Sequence, residues 1–213
     1  MEARRRGPAE APNDGEPATP RPAASVVLLR HGGRHQDRGL EVLLLRRTQE
    51  ARFMPGVWVF PGGSVDPCDG EGEACYSACA VRELKEEAGI ELPADSELVL
   101  FSRWITPEII STRFDAWFFL ALAPPHAEPQ PDGVETNEGN WYSPEVALRA
   151  LETGGMAIAF PTIRQLQALR EFGSAEEAIA AHREATVEPI LPKLTGEGEE
   201  QRLALPGDPD YPA

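Results

Sequence analysis

The chain has 213 residues, of which 35 are acidic and 20 basic, so its formal net charge at pH 7 is −15. This length suits one domain with a sizeable core, and a hydrophobic content of 41% argues against disorder throughout. The negative charge disfavours non-specific binding to nucleic acid or to anionic membranes, because the long-range field repels polyanions. No stretch approaches the roughly 18 apolar residues of a membrane-spanning helix.

The N-terminal region differs in composition from the rest of the chain. Residues 1–22 mix proline, alanine, glycine and charge without an apolar period, which predicts a disordered tail ahead of one domain at 23–213. The early arginines are not followed by an apolar segment, so no secretory signal is predicted. The three clustered cysteines (Cys68, Cys75 and Cys79) are an odd number, which favours free thiols and a cytoplasmic location.

The first half of the domain alternates short apolar runs with turn residues. Runs at 24–30 and 41–47 predict a hairpin of two buried strands, and a third strand at 57–60 ends at Pro61-Gly62-Gly63. A helical apolar stripe runs through 73–88, and Gly89 is placed to end that helix.

The second half predicts further strands and then helices. Strands are expected at 97–104 and 115–123, followed by a proline-rich loop at 124–134 and a short strand that ends at Trp141-Tyr142. Three helices follow: one with Ser143 as N-cap and Pro144 as its first residue, one at 162–172, and one with a capping box at Ser174 and Glu177. Residues 188–213 suit a C-terminal hairpin. The fold class is therefore α/β or α+β, with a mixed sheet.

The most informative stretch is Arg82-Glu83-Leu84-Lys85-Glu86-Glu87-Ala88-Gly89-Ile90. At about 100° per residue, Glu83, Glu86 and Glu87 share one arc of about 100° on the helix. Like charges this close destabilise a helix unless a cation lies among them, and Mg²⁺ and Mn²⁺ prefer carboxylate and carbonyl oxygens. The alternative for an isolated glutamate-rich face is that it is simply solvated. The two preceding glycines favour the metal site, because they let the backbone approach a metal or a phosphate.

The stretch from Gly63 to Ile90 resembles the Nudix box, G-x5-E-x7-R-E-U-x-E-E-x-G-U, in which U is a bulky aliphatic residue. The second half of the box matches at every fixed position. The first half departs, because Ala74 stands where the box has glutamate and Cys68 where it has glycine. Glu71 or Glu73, in a longer loop, is the expected substitute. The resemblance implies the Nudix fold, an α/β/α sandwich with a mixed β-sheet and hence an α/β protein.

The resemblance also implies a reaction and roles for single residues. Nudix hydrolases use Mg²⁺ or Mn²⁺ to attack a phosphoanhydride with water, with the box glutamates Glu83, Glu86 and Glu87 as catalytic metal ligands. The carbonyl of Gly62 is a further expected ligand. The guanidinium of Arg82 is expected to pair with a loop or box carboxylate and orient it.

A general base is expected from a later acidic loop, as is common in this family. Glu135 is the catalytic candidate and Glu138 its competitor. The alternative for each is a solvated surface carboxylate.

The segment before the box narrows the resemblance further. Arg52-Phe53-Met54-Pro55-Gly56, with the later Trp104-Ile105-Thr106-Pro107, is similar to Nudix coenzyme A diphosphatases of the peroxisomal type and their bacterial relatives. The likeness covers about residues 24–210. It implies cleavage of coenzyme A or acyl-CoA to 3′,5′-ADP and (acyl-)phosphopantetheine, and it suggests a homodimer.

Four arginines are candidate phosphate contacts, because a guanidinium fork matches phosphate oxygens: Arg46, Arg47, Arg52 and Arg113. The residues of the box specify the cleavage reaction but not the substrate, so the alternative substrate is ADP-ribose, a dinucleotide or a nucleoside diphosphate sugar. Met54 stands where many coenzyme A diphosphatases have histidine, which keeps that alternative open. A non-catalytic ligand-binding module is the other alternative, and it is disfavoured because all three box glutamates are present.

Overall fold

The computed structural model describes residues 11–13, 15–32, 39–196 and 201–212. The turn of the first hairpin (33–38) and residues 1–10 and 14 of the expected tail lie outside the described residues, so the tail remains a prediction there. The described residues just before the domain make sheet-like contacts: the amide of Asn13 donates to the carbonyl of Ile109 at 2.8 Å, and that of Ser111 to Ala11 at 3.0 Å. No helix in the described part of the chain is long and apolar enough to cross a membrane.

The described elements occur in the order β1 (Arg21–His31), β2 (Leu40–Arg47), β3 (Trp58–Val59), β4 (Gly62–Ser64), α1 (Ala74–Ala88), β5 (Val99–Ile105), β6 (Phe114–Leu122), β7 (Thr136–Tyr142), α2 (Pro144–Glu152), α3 (Phe160–Leu169), α4 (Ala175–His182), β8 (Pro189–Ile190), β9 (Lys193–Thr195) and β10 (Arg202–Ala204). A 3₁₀ turn at Pro67–Asp69 precedes α1.

Eight of the described strands form one mixed sheet in the order β3-β2-β1-β6-β5-β8, with β4 beside β1 and β7 beside β2. β1 is antiparallel to β2 and parallel to β6. Because β1 lies inside the sheet and is covered on both faces, its middle residues 26–29 are fully buried and form a continuous apolar run. Within the stretch 188–213, where a C-terminal hairpin is expected, the short strands β9 and β10 pair antiparallel as a separate ribbon, whereas β8 pairs with β5 of the main sheet.

The sheet lies between two helical layers. Ala24, Val26 and Leu28 of β1 pack in one core cluster with Leu84 of α1. The alternate residues of β1 pack in a second cluster with α2, α3 and α4, since successive side chains of a strand point to opposite faces. This is the predicted α/β/α sandwich with a mixed sheet.

Most elements lie where the sequence places them, and three differ. The glycines Gly62-Gly63, expected as the turn that ends a strand, belong to their own strand β4, which pairs with Ala23–Ser25 of β1. The strand that closes at Tyr142 begins at Thr136, because its whole length pairs with β2. The helix expected at 162–172 spans Phe160–Leu169, with Pro161 in its first turn.

Candidate active site

Helix α1 presents its acidic residues at the edge of the sheet. Its apolar side, which includes Ala80 and Leu84, is fully buried against the strands. The helix ends at Gly89, whose φ of 65° is left-handed and whose amide donates to the carbonyl of Lys85. Glu83 and Glu87, one turn apart beside the apolar stripe, therefore face strand β4. We refer to Glu83, Glu86 and Glu87 as the glutamate cluster.

Strand β4 makes the closest approach to this cluster. The amide of Gly62 donates to Oε2 of Glu87 at 2.9 Å. A Cβ atom at position 63 would lie only 2.6 Å from the carboxyl carbon of Glu83, and one at position 62 would collide with the backbone of β1. Glycine is therefore required at position 62, where a side chain would meet backbone, whereas a side chain at position 63 would displace the Glu83 carboxylate. Gly62 contacts the cluster through its amide, and its carbonyl as a metal ligand stays a prediction.

The carboxyl group of Glu87 is the most buried of the three. The residue is 2% exposed. Its Oε1 has no hydrogen-bond partner among the described residues, and the nearest cation is Nη1 of Arg47 at 3.9 Å. Burial raises the pKa of Glu87 to about 8, against the opposing effects of the Gly62 amide and Arg47. Burial also raises the pKa of Glu83, and the Arg82 guanidinium opposes it.

Arg82 connects the loop before α1 to the cluster. Its Nε and Nη2 bind the two carboxylate oxygens of Asp69 at 2.9 and 3.0 Å, and Nη2 also donates to the carbonyl of Ser64 at 3.1 Å. Its Nη1 donates to Glu83 and Glu86, each at 2.9 Å. The expected pairing of Arg82 with a loop carboxylate is therefore present. The partner is Asp69, which corrects the expectation of Glu71 or Glu73.

The three glutamates do not converge on one point. No three histidine, cysteine, aspartate or glutamate side chains within the described ranges form a ready metal cage. Glu86 turns towards Arg82, and its side chain is 57% exposed. The unsatisfied buried Oε1 of Glu87 and the oxygen donors of Glu83 nevertheless suit a hard divalent cation such as Mg²⁺ or Mn²⁺.

Arg47 stands between Glu87 and the loop that contains Glu135. Its Nη2 is 3.6 Å from Oε2 of Glu135, and its Nε donates to the carbonyl of Phe53 at 2.9 Å. The charge of Glu135 contributes to the raised pKa values of both Glu83 and Glu87. Glu138, the competing candidate, pairs with Arg46 at 3.2 Å instead. The structure thus brings Glu135, and not Glu138, into the electrostatic environment of the cluster.

The four candidate arginines have different surroundings. Arg47 lies at the cluster, Arg46 pairs with Glu138, and Arg52 is exposed in the loop that Arg47 holds through Phe53. Arg113 is only 7% exposed. Its Nε and Nη1 donate to the carbonyls of Thr106 and Ala18, so it joins two backbone segments rather than facing the cluster. This position corrects the expectation that Arg113 binds a phosphate.

Two acidic residues at the site were missed by sequence reasoning. Asp69 was missed because it lies 13 residues before Arg82, outside the box spacing. Asp132 binds backbone amides of the loop that contains Glu135, and its Pro131-Asp132-Gly133 sequence is a turn signature that could have identified it. Cys79 is a buried free thiol, with Sγ 3.4 Å from the carbonyl of Ser64.

Comparison with known proteins agrees with this architecture. A model of the NUDIX domain matches residues 19–165. Nudix hydrolase 7 of Caenorhabditis elegans is 29% identical over 71% of this chain and 61% of its own length, and an NAD-capped RNA hydrolase of Pseudomonas aeruginosa is 31% identical over 63% and 41%. An acyl-coenzyme A diphosphatase of Xenopus laevis is 23% identical over 64% of this chain and 61% of its own length. The chain thus spans about two fifths to three fifths of these relatives.

The solved structure of a NUDIX hydrolase from Alicyclobacillus acidocaldarius superposes with a TM-score of 0.69 at 26% identity, over 76% of this chain and 96% of that one. Members of this family generally use divalent metal ions. The domain match covers well over half of the chain, and it includes β4, α1 and the loop that contains Glu135. The chain belongs to the Nudix hydrolase family.

Proposed function

We propose that the chain is a divalent-metal-dependent diphosphatase that cleaves the pyrophosphate link of coenzyme A or an acyl-CoA, giving 3′,5′-ADP and (acyl-)phosphopantetheine. The observation that carries the cleavage chemistry is the buried Glu87 carboxyl group, held by the Gly62 amide on one oxygen and left unsatisfied on the other. A buried carboxyl oxygen without a hydrogen-bond partner costs folding free energy, and a bound cation would remove that cost.

The proposed metal ligands are Glu83, Glu86, Glu87 and the carbonyl of Gly62. A bound Mg²⁺ or Mn²⁺ would neutralise phosphate charge and lower the pKa of a bound water. Arg82 holds Glu83 and Glu86 on one side and Asp69 on the other, so it fixes the helix face relative to the loop. Glu135, with its side chain 60% exposed and next to Arg47, is the proposed group that takes the proton of the attacking water.

The choice of coenzyme A depends on the segment Arg52–Gly56, whose sequence is similar to that of the coenzyme A diphosphatases. Arg47 binds the carbonyl of Phe53 and also contacts Glu87, so this segment is joined directly to the cluster. The likeness to the Xenopus acyl-coenzyme A diphosphatase supports the same substrate. Arg52 and Arg46 are the proposed phosphate contacts on this side.

A substrate panel tests the proposal. Coenzyme A, acetyl-CoA, a long-chain acyl-CoA, ADP-ribose, NADH and a sugar nucleotide are incubated with the protein and Mg²⁺ or Mn²⁺, and the products are identified by mass spectrometry. We expect the coenzyme A compounds to give the highest kcat/KM and to yield 3′,5′-ADP. A preference for ADP-ribose, NADH or the sugar nucleotide would support the diphosphatase activity but contradict coenzyme A as its substrate. Nucleotide binding without turnover of any compound would instead support a ligand-binding module.

The general base is tested by Glu135→Gln, with Glu138→Gln as the matched control from the same strand region. We expect Glu135→Gln to lose the acidic limb of the pH–rate profile and about 100-fold in kcat. Glu138→Gln should keep both, because its carboxylate pairs with Arg46 away from the cluster. An unchanged profile in Glu135→Gln would remove this residue as the base.

A further inference from the structure

The turn at 132–136, which contains Glu135, is organised around one carboxylate. Oδ1 of Asp132 accepts hydrogen bonds from the amides of Val134, Glu135 and Thr136 at 3.1, 3.1 and 2.9 Å. Oδ2 also accepts from the Glu135 amide, at 3.1 Å. Three successive backbone N–H groups therefore point to the same side chain, which is a charge-assisted arrangement stronger than neutral hydrogen bonds.

The other side of the same backbone is held by Thr48, which directly follows Arg47. The amide of Thr48 donates to the carbonyl of Glu135 at 2.9 Å, and its hydroxyl donates to the carbonyl of Val134 at 3.2 Å. Both backbone polar groups of Glu135 are thus bound. Its side chain remains 60% exposed, beside Arg47. The main chain of this residue is therefore fixed, while its carboxylate stays accessible to solvent beside Arg47.

The turn is also attached to the helix of the glutamate cluster. Thr136 is fully buried, and its hydroxyl donates to the carbonyl of Glu87 at 3.0 Å. The amide of Gln130 donates to the carbonyl of Ala88 at 2.7 Å. Displacement of the turn would therefore change the position of Glu135 relative to Glu87.

We propose that Asp132 is a positioning residue, whose carboxylate aims Glu135 at the glutamate cluster. This inference rests on the general-base role proposed above. Turn closure alone does not account for the carboxylate, because the turn already has its own backbone hydrogen bond from the amide of Gly133 to the carbonyl of Thr136, at 2.8 Å. What Asp132 adds is binding of the amides at 134–136, on the side of the turn opposite to Thr48.

The test compares Asp132→Ala and Asp132→Asn, each alone and combined with Glu135→Gln. We expect Asp132→Ala to lower kcat about 100-fold with little change in KM, as a misplaced catalytic group does. Asp132→Asn keeps one acceptor oxygen and should recover part of the loss. In the Glu135→Gln background neither substitution should lower kcat further, because Asp132 acts through Glu135. In the metal-free protein, the amides at 134–136 should exchange with solvent faster in Asp132→Ala.

Asp208→Ala is the matched control. Asp208 also binds a turn, accepting from the amide of Leu205 at 2.9 Å just after β10, and its loss should leave kcat unchanged. Wild-type kcat in Asp132→Ala would overturn the proposal, and so would a full further loss in the double variant, which would assign Asp132 a general structural role. Wild-type kcat in Glu135→Gln would contradict the general base itself. If Asp132→Ala does not fold, the single and double Asp132→Asn variants carry the same comparison.

Discussion

Arg82 and Asp69 form a two-pronged ion pair, with Nε–Oδ1 and Nη2–Oδ2 distances of 2.9 and 3.0 Å, between helix α1 and the 3₁₀ turn before it. The Asp69 side chain is only 3% exposed. The same guanidinium binds Glu83 and Glu86, so the ion pair sets where two members of the glutamate cluster lie. In this chain the carboxylate that pairs with Arg82 from outside the helix thus comes from the loop before α1.

Asp69→Asn should therefore destabilise the fold. It keeps the shape of the side chain but removes the charge opposite Arg82, and losing charge-assisted hydrogen bonds in this partly buried pair costs about 2 kcal/mol of unfolding free energy. The Arg82 hydrogen bonds hold the pKa of Asp69 below its usual value of 3.8, against the effect of burial. The stabilisation is consequently present above about pH 4 and is lost as the pH falls through the lower folded-state pKa.

Urea unfolding of the metal-free protein between pH 7 and pH 3 measures this difference. The curves of wild type and Asp69→Asn should converge at the acidic end. Glu91→Gln is the control, because Glu91 pairs with Lys85 in a solvent-exposed position, where water screens the charges, so its loss should change the unfolding free energy far less. A constant difference between wild type and Asp69→Asn at all pH values would contradict an ionic origin.

Helix α1 was predicted correctly from local sequence patterns, whereas strand β4 was not. The predicted helix at 73–88 is observed at Ala74–Ala88, because an apolar stripe and a terminal glycine are properties of neighbouring residues. Strand β4 was not predicted, since Gly62-Gly63 has turn composition and becomes a strand only through pairing with β1. Its partner lies far away in sequence, so no local pattern indicates it.

The candidate site, like the fold, was predictable from the sequence where its contacts are local and not where they join distant segments. The nearness of Glu83 and Glu87 follows from helical spacing, and the structure has both facing β4. The role of Asp69 depends on the path of a loop, and the burial of Arg113 depends on two carbonyls from distant segments. Such contacts are decided by tertiary structure, which residue types and spacing do not specify.

Glu87→Gln should abolish stabilisation by metal. We expect Mg²⁺ or Mn²⁺ to raise the Tm of the wild-type protein, since a ligand at 100 times its Kd contributes about 2.7 kcal/mol. Glu87→Gln loses an anionic oxygen at the proposed ligand position while it keeps an acceptor for the Gly62 amide, so it should fold without responding to metal. Turnover should fall by at least about 100-fold. Scanning calorimetry with and without EDTA measures the shift, and Glu91→Gln should respond like wild type.

Gly63→Ala should lower activity more than stability. A Cβ atom at this position would push against the Glu83 carboxylate, a side-chain group that can move, rather than against backbone. A displacement of about 1 Å in a catalytic group can cost about 100-fold in rate. Steady-state kinetics and thermal unfolding are compared with those of Gly155→Ala, where the nearest atom is 3.5 Å away. Equal activities in the two variants would show that Glu83 does not need its present position.

Arg47 joins the segment Arg52–Gly56 to the glutamate cluster. Its replacement should affect catalysis more than substrate binding. Arg47→Gln removes the cation next to Glu87 and Glu135 and the hydrogen bond to Phe53. We expect kcat to fall about 100-fold with little change in KM, and Arg47→Lys to be intermediate because it keeps the charge without the guanidinium fork. Arg30→Gln is the control, since Arg30 pairs with Glu41 at the opposite end of β1 from β4, and its kinetics should match wild type. If Arg47→Gln instead raised KM alone, Arg47 would be a substrate-binding residue without influence on the glutamate cluster.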